Sequence, residues 1–494
     1  MGRFAALTVL LLLTRSAWGG DAVQNWPCWR GPTGSGTSPD FGLKLATDPK
    51  DFKLVWKSEE QNLPKQWMHP RGTGTNKIAF FGGYGGPMLY DHRVYVAYLL
   101  PSGTNVDEVT RLRAKDQRPE RWRKDADDML ICMDAAGGKT LWKTAMKGRG
   151  VSHQDHMHCP IFQPVVAEGK VYWSGSGGWG YCVDAATGAL VWEAKLSQTA
   201  DAMEEMKKTK TIEQFGQLIF FNACPAVADG VAVFSDLSDY SLKGRGTGKG
   251  HGLVAFDALT GKELWRLPEC VASVSSPVVW LHKGVRRFVA AGPRRAVAVD
   301  PKTGKIAWEI PAPKAPPETA PADPKAKRRP PPEPQLHAWG TPAVCEDYLV
   351  LAGNFSAHGG AKPVATHRGL SCWRIGPEKA EPVWSLPPAE YSAQHESPLI
   401  YRGHVYTKAK GIACVKLDNG QVLGKAEGGH FDSLVGADGR LFNRTHTYIA
   451  DPAGFRSVAL KAMGFAEFVT VAFCEGRLYG RVGDGVVCYD LREK

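Results

Sequence analysis

The sequence predicts an all-β protein, an eight-bladed β-propeller closed by its N-terminal strand. Two repeated patterns and one orphan strand carry this prediction. The 494 residues include 55 Gly, 34 Pro and 16 Trp, a composition that favours many tight turns over long helices. Hydrophobic residues make up 43% of the chain and charged residues 22%, which is typical of a globular protein with a large core.

The first pattern is an Asp, a turn that contains Gly, and a Trp eight residues after the Asp. It predicts a β-hairpin, because Gly permits a positive φ in the turn and the second strand carries the Trp into a packed interface. Four copies are clear: DAAGGKTLW, DAATGALVW, DALTGKELW and DPKTGKIAW. With two weaker copies, the pattern assigns a structural role to Trp56, Trp142, Trp192, Trp265, Trp308 and Trp384.

The second pattern precedes the first and consists of a small or polar residue, two apolar residues, a turn and an apolar strand. Eight copies begin at Gly86, Gln163, Cys224, Ser276, Thr341, Ser397, Ser433 and Thr470. Each copy predicts the first two strands of a four-stranded blade, and the Asp…Trp hairpin supplies the last two. The final copy lacks a fourth strand, which the orphan KLVW at Lys53–Trp56 can supply. Such a ring hides the sheet edges that an open repeat exposes.

The N-terminus predicts export from the cell. The apolar run Phe4–Leu13 is too short to span a membrane and precedes small residues, so we expect residues 1–19 to be a signal peptide cleaved near Gly19. The alternative is a short anchor that is left uncut. We expect a periplasmic or extracellular protein with no membrane span.

The domain organisation follows from the repeats. Residues 20–47 are an N-terminal extension, and residues 48–494 form the propeller. Insertions interrupt it at 101–127, 198–215 and 311–336.

The net charge is +11, and part of it is local. Four basic residues lie in the Pro-rich insertion: Lys325, Lys327, Arg328 and Arg329. This cluster is either a solvated loop or a contact for an acidic surface. Basic and aromatic residues do not interleave as in nucleic-acid-binding surfaces. We therefore expect no nucleic-acid partner, and we expect a monomer.

The D-A-x-T-G-x-x-x-W hairpin resembles the repeat of the pyrroloquinoline-quinone (PQQ) enzyme-like propellers. That superfamily includes quinoprotein alcohol dehydrogenases and the outer-membrane assembly lipoproteins of the BamB type. The opening WPCWRGPTGSGTS resembles secreted propellers of planctomycete-like bacteria. The resemblance covers nearly the whole mature chain and implies the fold, whereas a fold does not by itself fix a function.

The resemblance to quinoprotein dehydrogenases implies a set of cofactor-binding features that can be sought in this sequence. Those enzymes typically have a disulfide between adjacent cysteines that stacks on the quinone, a calcium ion with acidic and amide ligands, and an Asp base. This sequence contains no Cys-Cys pair, and no residue matches the calcium or base role. We therefore expect that PQQ is not the cofactor.

The cysteines fit packing better than chemistry. Five of them occupy equivalent strand positions, Cys132, Cys182, Cys372, Cys414 and Cys488, where other repeats have Ala255 and Ala298. A site that accepts Cys or Ala is small and buried, so the sulfur fills space there. Six others remain candidates for disulfides or ligands: Cys28, Cys159, Cys224, Cys270, Cys345 and Cys474.

Two sets of residues are candidates for a functional site. The first lies in SHQDHMHCP and could bind a divalent metal: His153, Asp155, His156, His158 and Cys159. The second occupies comparable positions before the first strands of other blades: Asn222, His337, Trp339, His395, Glu396, His430 and Asp432. Because first strands line the channel of a propeller, both sets should gather at one channel mouth. The alternative is a hydrated polar funnel whose histidines bond to the backbone.

Two glycine patterns do not predict nucleotide binding. Residues 175–180 fit G-x-G-x-x-G, but a strand follows them instead of the helix that a phosphate needs. Residues 244–250 lack the closing Lys-Ser/Thr of a P-loop. We therefore expect a binding or scaffold module for a protein, a glycan or a small ligand. The alternative is a PQQ- or metal-dependent oxidoreductase with its site at the channel mouth.

Overall fold

A computed structural model describes most of the chain. The described residues are 25–64, 85–101, 123–153, 163–196, 200–201, 223–236, 251–271, 275–313, 336, 340–353, 369–387, 390–391, 396–427, 434–443, 445–459, 463, 465 and 470–493. For residues 101, 123–125, 151–153, 452 and 459 the backbone alone is described. Within these ranges, thirty-two strands form eight antiparallel sheets of four strands. Each sheet is one blade of a propeller.

The strands of the first four blades follow one another along the chain. Blade 1 has β2 (Met88–Tyr90), β3 (Arg93–Pro101), β4 (Arg123–Asp134) and β5 (Thr140–His153). Blade 2 has β6 (Val165–Ala167), β7 (Lys170–Ser174), β8 (Trp179–Asp184) and β9 (Leu190–Lys195). Blade 3 has β10 (Ala226–Ala228), β11 (Val231–Asp236), β12 (His251–Asp257) and β13 (Glu263–Val271). Blade 4 has β14 (Val278–His282), β15 (Val285–Ala291), β16 (Arg295–Val299) and β17 (Ile306–Pro311).

The last four blades repeat the arrangement, and blade 8 takes its outer strand from the N-terminus. Blade 5 has β18 (Ala343–Cys345), β19 (Tyr348–Ala352), β20 (Leu370–Ile375) and β21 (Ala380–Ser385). Blade 6 has β22 (Leu399–Tyr401), β23 (His404–Ala409), β24 (Gly411–Lys416) and β25 (Val422–Ala426). Blade 7 has β26 (Val435–Ala437), β27 (Arg440–Phe442), β28 (His446–Ile449) and β29 (Arg456–Ala459). Blade 8 has β30 (Ala472–Cys474), β31 (Arg477–Val482), β32 (Gly485–Asp490) and β1 (Lys53–Lys57).

The first strands of neighbouring blades lie against one another in a closed circle. They surround a central channel, with the fourth strands at the rim. Strand β1 pairs antiparallel with β32, and Trp56 lies opposite Cys488. This pairing confirms the prediction that an N-terminal strand closes an eight-bladed ring. Strand β4 begins at Arg123, so the connection within blade 1 is shorter than the insertion expected at 101–127.

Each blade starts with a tight hairpin of two residues. In blade 2 these are Glu168 and Gly169, with φ of 49° and 72°. Positive φ at both central residues is the signature of a type I′ turn, whose twist matches the twist of paired strands. A Gly in the second position of most of these turns meets this requirement without steric cost.

The Asp of the repeated hairpin organises the turn between the third and fourth strands. In blade 2 the Asp184 carboxylate accepts hydrogen bonds from the Thr187 backbone N–H (3.1 Å) and hydroxyl (3.0 Å). Hydrogen bonds from Thr187 hold the pKa of Asp184 below its ordinary value. Gly188 then adopts a φ of 73°. The Asp and Gly therefore set the turn that directs the following strand to the rim.

The repeated Trp joins each blade to the next one. The Trp192 Nε1–H donates to the Ala258 carbonyl of blade 3 at 2.9 Å, and its ring lies on Gly261, where a Cβ would come within 2.7 Å of it. The same hydrogen bond joins Trp56 to Ala135, Trp265 to Pro301, Trp308 to Gly376 and Trp384 to Leu417. The Gly of the repeat thus provides the surface on which the preceding blade's Trp packs.

Blade 1 departs from this arrangement in one hydrogen bond. The hydroxyl of Tyr95 donates to the Ala185 carbonyl at 3.1 Å, the place that the repeat gives to a Trp. The indole N–H of Trp142 has no acceptor among the described residues, although its ring still lies on Gly188. In blade 1 the ring packing on Gly is therefore retained without the hydrogen bond.

The repeated cysteine positions lie inside the blades, as the sequence predicts. Cys132, Cys182, Cys372, Cys414 and Cys488 are all fully buried. Ala255 and Ala298, at the same place in blades 3 and 4, are fully buried too. Close packing around a small site explains why either residue is accepted.

Replacing Trp192 by Ala tests the packing between blades. We expect a loss of about 3–5 kcal/mol in the free energy of unfolding, because the change leaves a cavity against Gly261 and removes the indole hydrogen bond to the Ala258 carbonyl. Urea unfolding followed by circular dichroism measures it. The control is V191A, since the adjacent Val191 is 40% exposed. Equal stability of the two variants would contradict the docking role.

Deleting residues 48–57 tests ring closure. The deletion removes β1 and Trp56 and leaves the edge of β32 unpaired, so we expect a loss greater than the about 3–5 kcal/mol of one buried Trp. As a control, residues 314–334 between blades 4 and 5 are replaced by a short Gly/Ser linker, which should change stability little. A deletion variant that unfolds at the parent's urea concentration would refute closure by β1.

Candidate functional site

The two faces of the disc carry very different connections. First strands begin on one face, here called the loop face, and end on the other, the turn face. On the turn face the connections within a blade are no longer than six residues, as in 300–305. On the loop face, residues 58–87, 196–225 and 312–342 join successive blades. Long loops on a rigid scaffold are where proteins usually bind ligands, so the loop face is the candidate functional face.

A series of hydroxyl groups joins the starts of four first strands at the loop face. The Ser276 hydroxyl accepts a hydrogen bond from the Cys224 N–H at 2.9 Å. The Thr341 hydroxyl accepts one from the Ser276 N–H at 2.9 Å. The Ser397 hydroxyl accepts one from the Thr341 N–H at 2.8 Å. All four residues are buried. We call Ser276, Thr341 and Ser397 the hydroxyl arc. The small polar residue that begins the second sequence pattern thus bonds one blade to the next.

On the other side of the ring of first strands, a longer side chain makes the contact between blades. The Gln163 side-chain amide of blade 2 donates to the Thr470 hydroxyl of blade 8 at 2.7 Å. This bond passes Gly86 of blade 1, where a Cβ would lie 2.7 Å from the Thr470 carbonyl and hydroxyl. Glycine in blade 1 therefore makes room for a contact between its two neighbours.

Residues 26–38, here called the axial segment, enter the central channel from the turn face. Trp26 forms both backbone hydrogen bonds with Leu89 of β2 (2.8 and 3.0 Å). The Pro27 carbonyl accepts from the Val166 N–H of β6 at 2.9 Å. The chain therefore lies along the first strands of blades 1 and 2.

The axial segment returns along the opposite wall. The Gly36 carbonyl accepts from the Gly436 N–H and the Ser38 N–H donates to the Gly436 carbonyl, both at 2.9 Å. Asp40 then accepts from the Asp438 N–H at 2.8 Å, in the turn that follows β26. Since the two arms contact blades 1, 2 and 7, the segment forms a hairpin that occupies the channel and opens onto the turn face.

The tip of this hairpin lies at the base of the loop-face mouth. Thr33 is exposed there, while the backbone of Gly34 lies close to the Val279 carbonyl of blade 4. The hydroxyls of Thr33, Ser35 and Thr37 contact one another at 2.6–2.9 Å. The floor of the mouth is therefore a cluster of hydroxyl groups supplied by the axial segment.

Arg30 lies directly beneath this cluster. Its side chain is 1% exposed, and its Nη2 donates to the carbonyls of Ser35 (2.8 Å) and Pro398. Pro398 adjoins Ser397 of the hydroxyl arc, so the guanidinium lies at the level where the first strands begin. Burial lowers the pKa of Arg30 to about 10, which leaves the group charged at neutral pH.

Most of the sequence-predicted site residues lie outside the described residues, so those assignments remain predictions. From the mouth set these are Asn222, His337, Trp339, His395, His430 and Asp432; from the metal set, Asp155, His156, His158 and Cys159. The backbone of His153 ends β5 at the loop face. Among the residues that are described, no three His, Cys, Asp or Glu side chains group closely enough to hold a metal.

Glu396 is the mouth residue that the structure describes in full. It is 6% exposed, and its carboxylate lies 3.8 Å from the Lys408 ammonium of β23. The Glu396 backbone also packs on Gly340, the residue before Thr341 in blade 5. This carboxylate therefore forms an ion pair within blade 6.

The glycines of residues 175–180 have a packing role. A Cβ at Gly175 would overlap the buried Asp128 carboxylate, and one at Gly177 would overlap the Arg149 carbonyl. Asp128 accepts from the Ser176 N–H (3.1 Å) and hydroxyl (3.0 Å) and from the Tyr181 hydroxyl (2.8 Å). Close approach of blade 2 to blade 1 thus requires the glycine pattern.

The cysteines that the structure describes are all free thiols. They include the candidates Cys28, Cys224, Cys270, Cys345 and Cys474, whereas Cys159 is outside the described part. Burial raises the pKa of Cys28 to about 12 and that of Cys345 to about 11. Protonated thiols are poor nucleophiles and ligands, so these side chains fill space in the structure.

Sequence reasoning missed the role of the axial segment. Residues 20–47 match neither repeat, so the sequence predicts only an N-terminal extension there. The available signal was Gly31, Gly34 and Gly36, which adopt φ of 66°, 73° and 89°. A Cβ at Gly36 would come within 2.6 Å of Leu399 in β22. Glycines and hydroxyl residues between apolar anchors are typical of a backbone packed closely against other backbone.

Comparison with protein families agrees with this architecture. The family model described as "Outer membrane protein assembly factor BamB" matches residues 45–202 and 126–425. The chain belongs to this family. The match covers most of the repeats, and the family is one of PQQ-like propellers. No curated protein matches the sequence.

Solved structures to which the chain is similar include proteins of several kinds. BamB from Moraxella catarrhalis is 13% identical, covers 74% of this chain and 78% of its own, and has a TM-score of 0.38. Quinohemoprotein alcohol dehydrogenase from Comamonas testosteroni is 15% identical over 95% of this chain and 81% of its own, with a TM-score of 0.45. A europium-containing methanol dehydrogenase is 15% identical over 95% of this chain and 98% of its own, with a TM-score of 0.45.

The described part of the chain contains no helix of the length and apolar character that crossing a membrane requires.

Replacing Ser397 by Ala tests the hydroxyl arc. The change leaves the buried Thr341 N–H without an acceptor, so we expect the free energy of unfolding to fall by about 1–3 kcal/mol. The matched control is S397T, which retains the hydroxyl that Thr341 itself uses at the same position in blade 5. Chemical denaturation compares the three proteins. Equal losses in both variants would show that shape, and not the hydrogen bond, is what the arc requires.

Proposed function

We propose that this protein is a non-catalytic binding module, a rigid disc that presents its loop face and channel mouth to a protein, a glycan or a small ligand. The observation that carries the proposal is the asymmetry of the disc. The long connections that join successive blades leave the loop face, whereas the turn face has short hairpins, the entry of the axial segment and residues 39–52, which lead from that segment to β1. Binding sites concentrate on variable loops held by a rigid scaffold.

The position of the axial segment supports binding over quinone chemistry. Residues 26–38 occupy the channel beneath the mouth, and the sequence has no adjacent cysteines to form a disulfide that stacks on a quinone. The residues present therefore do not fit PQQ, and no catalytic step is derived through it. A divalent metal held by His153, Asp155, His156, His158 and Cys159 remains part of the proposal as an alternative ligand of the mouth.

The cellular setting is proposed on the same basis. Membership in the BamB family and the expected signal peptide at residues 1–19 support a periplasmic or extracellular location. Both fit a scaffold role in the cell envelope. The opening motif Trp26–Ser38 also supports a place among secreted propellers of planctomycete-like bacteria, and in this structure that motif is the axial segment.

Site-specific photo-crosslinking tests which face binds. A photoreactive amino acid is placed at Lys410 or Glu427 on the loop face, and at Leu259 or Lys302 on the turn face; all four positions are exposed. After irradiation of cells that produce the protein, the loop-face variants should give discrete adducts and the turn-face variants should not. Adducts confined to the turn face would overturn the proposal.

A thermal measurement separates binding from quinone chemistry. The mature protein is melted with calcium alone and with calcium plus PQQ. A ligand at about 100 times its dissociation constant stabilises a protein by about 2.7 kcal/mol, so a bound cofactor would raise the melting temperature clearly. We expect no rise that depends on PQQ. Such a rise would favour the oxidoreductase alternative.

A further inference from the structure

Arg30 is a buried cation whose partners among the described residues are neutral. Its Nε and Nη1 are buried and have no hydrogen-bond acceptor in the part of the chain that the structure describes. Its Nη2 bonds to two neutral carbonyl oxygens, those of Ser35 and Pro398. The indole of Trp29 lies 5.5 Å from the guanidinium carbon. No carboxylate of the described residues lies within ion-pair distance of this side chain. The guanidinium thus retains two nitrogen atoms that an anion could satisfy.

The energetic consequence favours an anion at this place. Removing a cation from water costs several kcal/mol unless a partner compensates it. Neutral carbonyls compensate less than a charged acceptor, since charge-assisted hydrogen bonds are about twice as strong as neutral ones. An oxyanion that reached Arg30 would therefore bind with a gain that the unliganded protein lacks.

The surroundings of Arg30 supply further donors. Thr33, Ser35 and Thr37 form the hydroxyl cluster at the tip of the axial segment, and Thr33 is exposed toward the loop-face mouth. Hydroxyl groups can rotate their hydrogens toward an anion without moving their oxygens. The floor of the mouth is therefore rich in donors above a single buried positive charge.

We propose that the floor of the loop-face mouth binds an oxyanion, a carboxylate or phosphate group of a small ligand, through Arg30 and the hydroxyls of Thr33, Ser35 and Thr37. This inference rests on the proposed function, because it assigns a ligand class to the same mouth. The axial segment then has two roles: it fills the channel and it recognises the ligand. Lys408 does not contribute, since its ammonium already faces Glu396.

Titration calorimetry with inorganic phosphate and with succinate tests the proposal. The mature protein is titrated at constant ionic strength, with chloride as the balancing anion, and its melting temperature is followed in parallel. We expect saturable binding of phosphate, succinate or both, at least tenfold weaker in R30Q and less weakened in R30K. Binding of phosphate alone or succinate alone assigns the geometry of the anion, and either result supports the site.

Two further variants keep the test independent of folding. T33V alters an exposed residue at the tip, should not unfold the protein, and should weaken binding several-fold. R481Q removes another fully buried Arg, in β31 of blade 8, whose Nη2 donates to the Pro64 carbonyl, and should leave anion affinity unchanged. No binding of either anion by the parent protein, or equal binding by R30Q, would overturn the inference. Discrete crosslinks from the loop face would support the binding role even if no anion binds. The failure of the anion site can therefore be distinguished from the failure of the binding role.

Discussion

The architecture depends on the contact between the Trp of one blade and the Gly turn of the next. The rings of five Trp residues pack on a Gly whose Cβ would overlap them, namely Trp56, Trp142, Trp192, Trp265 and Trp384. In five blades the Trp N–H also bonds to the neighbouring turn. The outer part of a blade is therefore packed only when the next blade is present. The last blade of an open series would lack this contact. The pairing of β1 with β32 resolves this by returning the N-terminal strand to the last blade.

The same constraint separates the two faces. Trp docking and type I′ hairpins require short turns on one face, so chain length can vary on the other face alone. The axial segment adds to this difference, because it enters and leaves through the turn face and presents Thr33 toward the loop face. A closed channel with a polar floor is thus a consequence of how residues 26–38 pack, and it makes the loop-face mouth the place for recognition.

The repeats allowed most of the fold to be predicted from the sequence, while the candidate site was only partly predictable. The residues equivalent to Asp184, Gly188 and Trp192 recur at a fixed spacing because the blades pack on one another in the same way. The strands, the ring closure and the buried cysteines could therefore be predicted from the repeats. Arg30 belongs to a segment that occurs once and contacts five different blades, so no periodicity marks it. The residues of the hydroxyl arc could be recognised in the sequence as small polar residues before the first strands. Their hydrogen bonds from blade to blade could not be predicted, because they depend on how neighbouring blades lie in the closed ring.

Hydrogen exchange of the axial segment tests the central claim most directly. If residues 26–38 occupy the channel, the amides of Trp26, Gly36 and Ser38, which bond to backbone carbonyls, should exchange as slowly as those of first strands such as β6. Mass spectrometry of a peptide spanning these residues measures this in the mature protein. Exchange at the rate of an unstructured peptide, while β6 stays protected, would contradict the account.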